Sequence, residues 1–229
     1  MKNLNTITKA YQKNWQKKIL DKGRIESQNR VYNTFAKLFS KIINTPFQGM
    51  ILDLGCGDGS LVKVLNTKKN ITAEGIDIDR GINFETDELP FKDNEFDIII
   101  MYSVVEHIHN PGNIFTEAKR ILKPGGKIII ITSNFDLSNL FTCDRSFYCD
   151  PTHVQPYNFV SIEYLMKLYK FKKRFIGLWT VNKSSFLWRL PTKLQFYIGA
   201  LLPFNGQAKF VPSFLKGKSK SMMCIFENE

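Results

Sequence analysis

The chain has 229 residues, 43% of them hydrophobic, enough to bury the core of one domain with additions. No apolar run approaches membrane-spanning length, no secretory h-region is read in the lysine-rich start, and four cysteines without repeated spacing imply reduced thiols in a cytoplasmic protein. The net charge of +11 is uneven: residues 1–45 carry +8, residues 46–163 carry −7, and residues 164–226 hold 12 basic side chains and no acid.

Residues 7–20 and 25–43 are predicted as helices, because Tyr11 and Trp15 sit four apart and Ile25, Val31, Phe35, Leu38, Phe39, Ile42 and Ile43 recur near the helical period. Gly23 should separate them and Pro46 should end the second. Met50–Leu54 is an apolar run broken only by Asp53, of strand length. Gly55, Gly57 and Gly59 follow on alternate positions, and Leu61, Val62, Val64 and Leu65 open a helical pattern. A strand, a glycine turn and a helix start make a cradle: glycine takes positive φ, and without a Cβ the backbone N–H groups can meet an anion or a polar group. The alternative is a plain tight turn.

The run Asp53-Leu54-Gly55-Cys56-Gly57-Asp58-Gly59 resembles the first motif of the class I S-adenosylmethionine-dependent methyltransferases, with similar landmarks continuing through Gly126. A dinucleotide turn would need glycine where Ser60 stands. The resemblance implies an α/β fold, a seven-stranded, mostly parallel, doubly wound sheet with its last strand antiparallel. It implies S-adenosylmethionine as cofactor, with Asp53, Gly55, Cys56 and Gly57 around its amino acid part. Residues 1–45 would cover the cofactor side, bringing Arg24 or Tyr32 near it, and residues 46–182 would form the core.

Ile71–Ile76 is the predicted second strand, and Asp77 at its tip is placed to accept hydrogen bonds from two ribose hydroxyls, with Ile78 beside it and Asp79 as the weaker candidate. The other reading of Asp77 is a helix N-cap. Nine residues between Asp77 and Asp87 are too few for a crossover helix and a strand, so the third helix is expected as a loop. Residues 87–97 are similar to the family segment that meets the adenine. Residue type favours Asp87 there, with Leu89, whereas the family offset favours Glu85. Phe96–Met101 is the fourth strand, with Tyr102 and Ser103 at its tip beside the donor's methionine part. Glu106-His107 matches a recurrent family pair, His107 being either a base or a histidine that fixes its loop. A helix over Pro111–Leu122, a turn over Leu122–Gly126 and a strand over Lys127–Thr132 follow.

Two long excursions remain, 134–160 and 183–219, separated by a helix over Ser161–Leu168 capped by Ser161 and a strand over Phe175–Val181. Met222–Phe226, within residues 220–229, is the last strand. The first excursion holds Arg145, Tyr148, His153 and Tyr157 in a segment similar to one found in a subset of the family. Arg145, Tyr148 and Tyr157 are candidate substrate contacts, and His153 is the first choice of general base for a hydroxyl acceptor. Cys143, Cys149 and His153 fit no common zinc spacing, so no metal is expected. The second excursion mixes Phe186, Trp188, Phe196 and Tyr197 with basic residues, which fits a helix on an anionic membrane surface, a roof over a lipid-linked substrate, or a cap on the domain. The expected reaction is methyl transfer to a small hydroxylated, sugar-like or lipid-linked acceptor. An RNA methyltransferase and a non-catalytic donor-binding protein are the alternatives.

Overall fold

The computed structural model describes residues 22–135, 150–179 and 221–229. Among these, six strands form one sheet: β1 (Gly49–Leu54), β2 (Ile71–Ile76), β3 (Phe96–Tyr102), β4 (Leu122–Ser133), β5 (Phe171–Leu178) and β6 (Ser221–Asn228), in the order β2-β1-β3-β4-β6-β5. The first four strands are parallel, and β6 enters antiparallel between β4 and β5. The helices are α1 (Lys22–Leu38), α2 (Ser60–Leu65), α3 (Gly112–Ile121) and α4 (Phe159–Leu168).

The central strands read as unbroken apolar runs because both faces of the sheet are covered. Alternation sends Ile98 and Ile100 of β3 to one face, where Val31, Phe35 and Leu38 of α1 and Leu61 of α2 pack. Ile99 and Met101 point the other way, to Ile114, Phe115 and Ala118 of α3 and to Ile162 and Met166 of α4.

The parallel order, the antiparallel last strand and the missing third helix match the sequence reading, but six strands are present among the described residues where seven were expected. No strand lies between β2 and β3. That segment is strapped to α3 instead: Arg120 donates to the carbonyls of Phe91 (2.8 Å) and Leu89 (3.0 Å), and Glu117 accepts from the Leu89 N–H (2.8 Å). Backbone groups that a strand would pair are thus held by side chains.

Other boundaries move for local reasons. Gly23 lies in the first turn of α1 and does not separate two described helices; the predicted helix 7–20 falls outside the described residues. After a π-helical turn at Phe39–Ile43, Asn44 ends the helix ahead of Pro46, in the left-handed region with φ 57°. The Leu122–Gly126 turn is a bulge within β4, where the register jumps from Phe96↔Leu122 to Ile98↔Lys127. Asn158, not Ser161, caps α4: the Asn158 side chain accepts from the N–H groups of Val160 and Ser161, and the Ser161 hydroxyl accepts from the Asn158 N–H. β5 begins at Phe171, four residues before the predicted start, because an edge strand tolerates the exposed run Lys172, Lys173, Arg174.

Candidate donor and acceptor site

The carboxyl ends of β1, β2 and β3 and the loops that leave them form one face, the place where open parallel sheets hold ligands. Gly55, Gly57 and Gly59 all have positive φ, at 88°, 53° and 71°. Their roles differ. A Cβ on Gly55 would collide with Val104 Cγ2, so this glycine lets the turn lie against the loop after β3. A Cβ on Gly57 or Gly59 would meet nothing within 4 Å, so those two border open space.

Asp77 ties this turn to β2. One carboxylate oxygen accepts from the Gly57 N–H at 2.6 Å, and the other accepts from the Ile78 N–H at 2.8 Å. The N-cap reading of Asp77 holds, and the same side chain also clasps the glycine turn, a contact that the sequence did not suggest. Gly75, one strand position from Ile76, is a feature that sequence reasoning missed: a Cβ there would meet Cys56 Cβ and Val62 Cγ2 at 2.8 Å. Cys56 itself is half-buried, and burial, followed by the charges of Asp53 and Asp77, pushes its thiol up to about 12. It packs as a neutral thiol.

Asp53 is 3% exposed at the floor of the turn. Burial first, then the Asp77 and Asp58 charges, raises its carboxyl to about 7. Arg24 of α1 reaches over the turn to pair with Asp58 at 2.6 Å, while Tyr32 packs away from it against Phe47. Three carboxylates around a bare-backbone turn beside open space suit a ligand that carries positive charge and hydroxyls. The sulfonium, ammonium and ribose of S-adenosylmethionine meet that description.

The expected adenine contacts are placed differently. Asp87 is half-buried, and its oxygens already accept from the Asn83 N–H (2.8 Å) and the Thr86 hydroxyl (2.9 Å), which hold its carboxyl below the usual range. Glu85 is turned to the backbone N–H of His109 at 3.1 Å. Leu89 is a core residue with both backbone groups engaged by α3, so its side chain is not offered to a ligand. At the tip of β3 the Tyr102 hydroxyl accepts from Trp179 Nε1 at 3.1 Å, and Ser103 turns the chain with φ 54°.

Beyond that tip the structure joins residues that are far apart in sequence. The rings of His107 and His153 meet edge to face, centroids 4.8 Å apart. Glu106, buried between them and the sheet, accepts from the Thr132 hydroxyl at 2.7 Å, and its carbonyl accepts from the N–H groups of Val154 and Gln155. Burial pushes the Glu106 carboxyl up. Glu106, His107 and His153 offer ligand atoms within 4.8 Å of one another. Neighbouring ligands of a tetrahedral ion with bonds of ~2.05 Å would be about 3.4 Å apart, so this trio would need to contract to hold one.

Arg145, Tyr148, Cys143 and Cys149 lie outside the described residues. Tyr157, expected at the substrate, is 4% exposed and packs in the core shared by Leu89 and α4; its phenol is pushed up to about 12, by burial and then by the Glu106 and Tyr169 charges.

The model of the methyltransferase-domain family matches residues 25–174. The chain belongs to that family, the class I S-adenosylmethionine-dependent methyltransferases. It is 40% identical over 95 residues to an uncharacterized protein of Methanocaldococcus jannaschii, covering 36% of this chain and 44% of that protein. It is 31% identical over 117 residues to the ubiquinone biosynthesis O-methyltransferase of a Caulobacter species, covering 42% of this chain and 46% of the relative. The chain thus spans under half the length of these curated relatives. The fold is similar to that of a SAM-dependent methyltransferase from Archaeoglobus fulgidus, with a TM-score of 0.52, 17% identity, and coverage of 86% of this chain and 93% of that one. Among the described residues, no helix is long and apolar enough to cross a membrane.

Proposed function

We propose that this methyltransferase alkylates a hydroxyl of a small, sugar-like or lipid-linked acceptor, with the donor held by the glycine turn and Asp77. The observation that carries this reading is the meeting of His107 and His153 beside the loop on which Gly55 rests. A hydroxyl is a poor nucleophile until its proton can leave, and a positioned imidazole is the side chain best matched to accept one near neutral pH. When bound, the donor supplies a methyl group that is already electrophilic. The protein's work is then to align the two reactants, exclude water and hold a proton acceptor in reach.

In this reading Asp53 faces the donor's ammonium, Asp77 the ribose, and Tyr102 and Ser103 the methionine part. Glu106 lies buried next to both histidines and is anchored by the Thr132 hydroxyl. The Caulobacter relative's name as an O-methyltransferase supports the choice of oxygen.

The competing RNA acceptor rests on the basic C-terminal third. In its described part the charge is locally offset: Lys173 pairs with Glu163, Arg174 with Glu227 and Lys172 with Glu229. Liposome flotation against a salt-dependent RNA shift separates a membrane role from a nucleic-acid one for the rest. The deciding experiment measures methyl transfer from labelled donor across catechols, sugars and prenylated phenols. His153→Ala is expected to lower turnover with unchanged affinity for S-adenosylhomocysteine; full turnover in that variant would remove His153 as the base. Donor binding with no transfer to any acceptor would favour a non-catalytic binding protein.

A further inference from the structure

Thr152 stands between an aspartate and a histidine, and its single hydroxyl proton can go to only one of them. Its Oγ1 lies 2.6 Å from Asp150 Oδ1 and 2.9 Å from His107 Nδ1. The same Asp150 oxygen accepts the Thr152 backbone N–H at 2.9 Å. An ionised carboxylate only accepts, so the hydroxyl proton points to Asp150 and the hydroxyl's lone pairs face the imidazole. Burial works against the Asp150 charge, but the Thr152 hydroxyl and N–H, and then the two histidines, hold its carboxyl below the usual range.

A second contact leads to the same conclusion independently. The carbonyl oxygen of Thr152 lies 3.2 Å from His107 Nδ1, and a carbonyl can only accept. Two acceptors converging on one ring nitrogen require a hydrogen there. The neutral ring must then leave Nε2 bare, since the tautomer is set by the hydrogen bond that the other nitrogen makes. Asp150 also reaches the second histidine: its Oδ2 is 3.8 Å from His153 Nε2. Asp150 therefore acts on His107 through Thr152, while its separation from His153 Nε2 is longer than a hydrogen bond; Glu106, on the same short turn as His107, is the other acid beside them.

We propose that Asp150 and Thr152 are positioning residues that lock His107 as the Nδ1–H tautomer, leaving Nε2 as the ring's proton acceptor. The use of that nitrogen in catalysis rests on the reading of His107 as a base; the tautomer itself does not. The segment's aspartate and threonine thus gain a role that the motif around His153 did not suggest.

The test is a nitrogen-15 NMR experiment on the full chain with labelled histidine, at a pH where the imidazoles are neutral, with His107→Gln identifying the resonances. The wild type is expected to show His107 with a protonated Nδ1 and a bare Nε2. Thr152→Val removes one of the two acceptors and should shift His107 toward a mixture of tautomers, while Thr152→Ser keeps the hydroxyl and should retain the wild-type spectrum. Asp150→Ala frees the hydroxyl proton to turn toward Nδ1 and should move the equilibrium further than Thr152→Val. A protonated Nε2 in the wild type, or a Thr152→Val spectrum equal to the wild type in a variant that still binds S-adenosylhomocysteine, would overturn the proposal. Because none of these readouts needs turnover, a wrong acceptor assignment leaves the result intact. The locked tautomer in a protein that methylates no hydroxyl would defeat the base reading alone.

Discussion

Donor binding should expel a proton from Asp53. In the free protein this carboxyl titrates at about 7, through burial and the neighbouring Asp77 and Asp58 charges. An ammonium brought against the turn favours the charged carboxylate, so the proton leaves as the ligand enters. Below pH 7 that proton must be removed at a cost of about 1.4 kcal/mol per pH unit, which makes S-adenosylhomocysteine bind about tenfold more weakly at pH 6 than at pH 8. Asp53→Asn should flatten the profile, whereas His107→Gln should keep it. Calorimetry at pH 6.5 in two buffers of different ionisation enthalpy reads the released proton directly. An affinity that stays flat from pH 6 to 8, with a binding heat independent of buffer, would refute the reasoning. The same group has an effect on stability with a definite sign. Its folded value lies above the ordinary aspartate value of 3.8, so the folded state holds the extra proton between the two. The Asp53 contribution therefore makes the ligand-free protein less stable as pH rises from about 4 to about 7, and Asp53→Asn should remove that decline.

Asp77→Ala deletes the acceptor of the Gly57 N–H and, on the proposed pose, of the ribose; charged hydrogen bonds of ~1.5–3 kcal/mol predict a loss of roughly 10- to 100-fold in S-adenosylhomocysteine affinity, and unchanged affinity would take Asp77 out of the site. Gly75→Ala forces a methyl within 2.8 Å of Cys56 and Val62, so it should lower stability by about 1–3 kcal/mol in urea titrations and weaken donor binding with it. Asn158→Ala removes the α4 cap at a cost of about 1 kcal/mol, while Ser161→Ala, which leaves the capping side chain of Asn158 in place and loses the hydroxyl's contacts with the Asn158 backbone, should cost less; equal costs would contradict the capping assignment.

The segments between β2 and β3 and after β4 show why motif reading reaches only so far. Leu89 and Tyr157 each sit in a stretch that resembles family site segments, and each is buried in the core. Sequence order says which residues are near a site along the chain. It does not say which way a side chain turns, and for apolar and aromatic groups the core competes for the same atoms. The cap of α4 is ambiguous in the sequence because Asn158 and Ser161 are reciprocal partners, and only the backbone geometry tells cap from third residue.

The amino-acid sequence by itself determined the strand–glycine turn–helix unit, the strand Ile71–Ile76 with Asp77 at its end, and the loss of the third crossover helix, while the antiparallel last strand came only with the family resemblance. Each of the first three depends on apolar period, glycine position or chain length over a few residues, and such signals act through immediate neighbours. Tertiary structure alone decided that Gly75 must lack a side chain, that Asp77 clasps the Gly57 N–H, and that Thr152 links Asp150 to His107. Those contacts join atoms from different strands and loops. They exist only once the sheet has brought its carboxyl ends to one side, where burial and shared protons give the same residue types new chemistry.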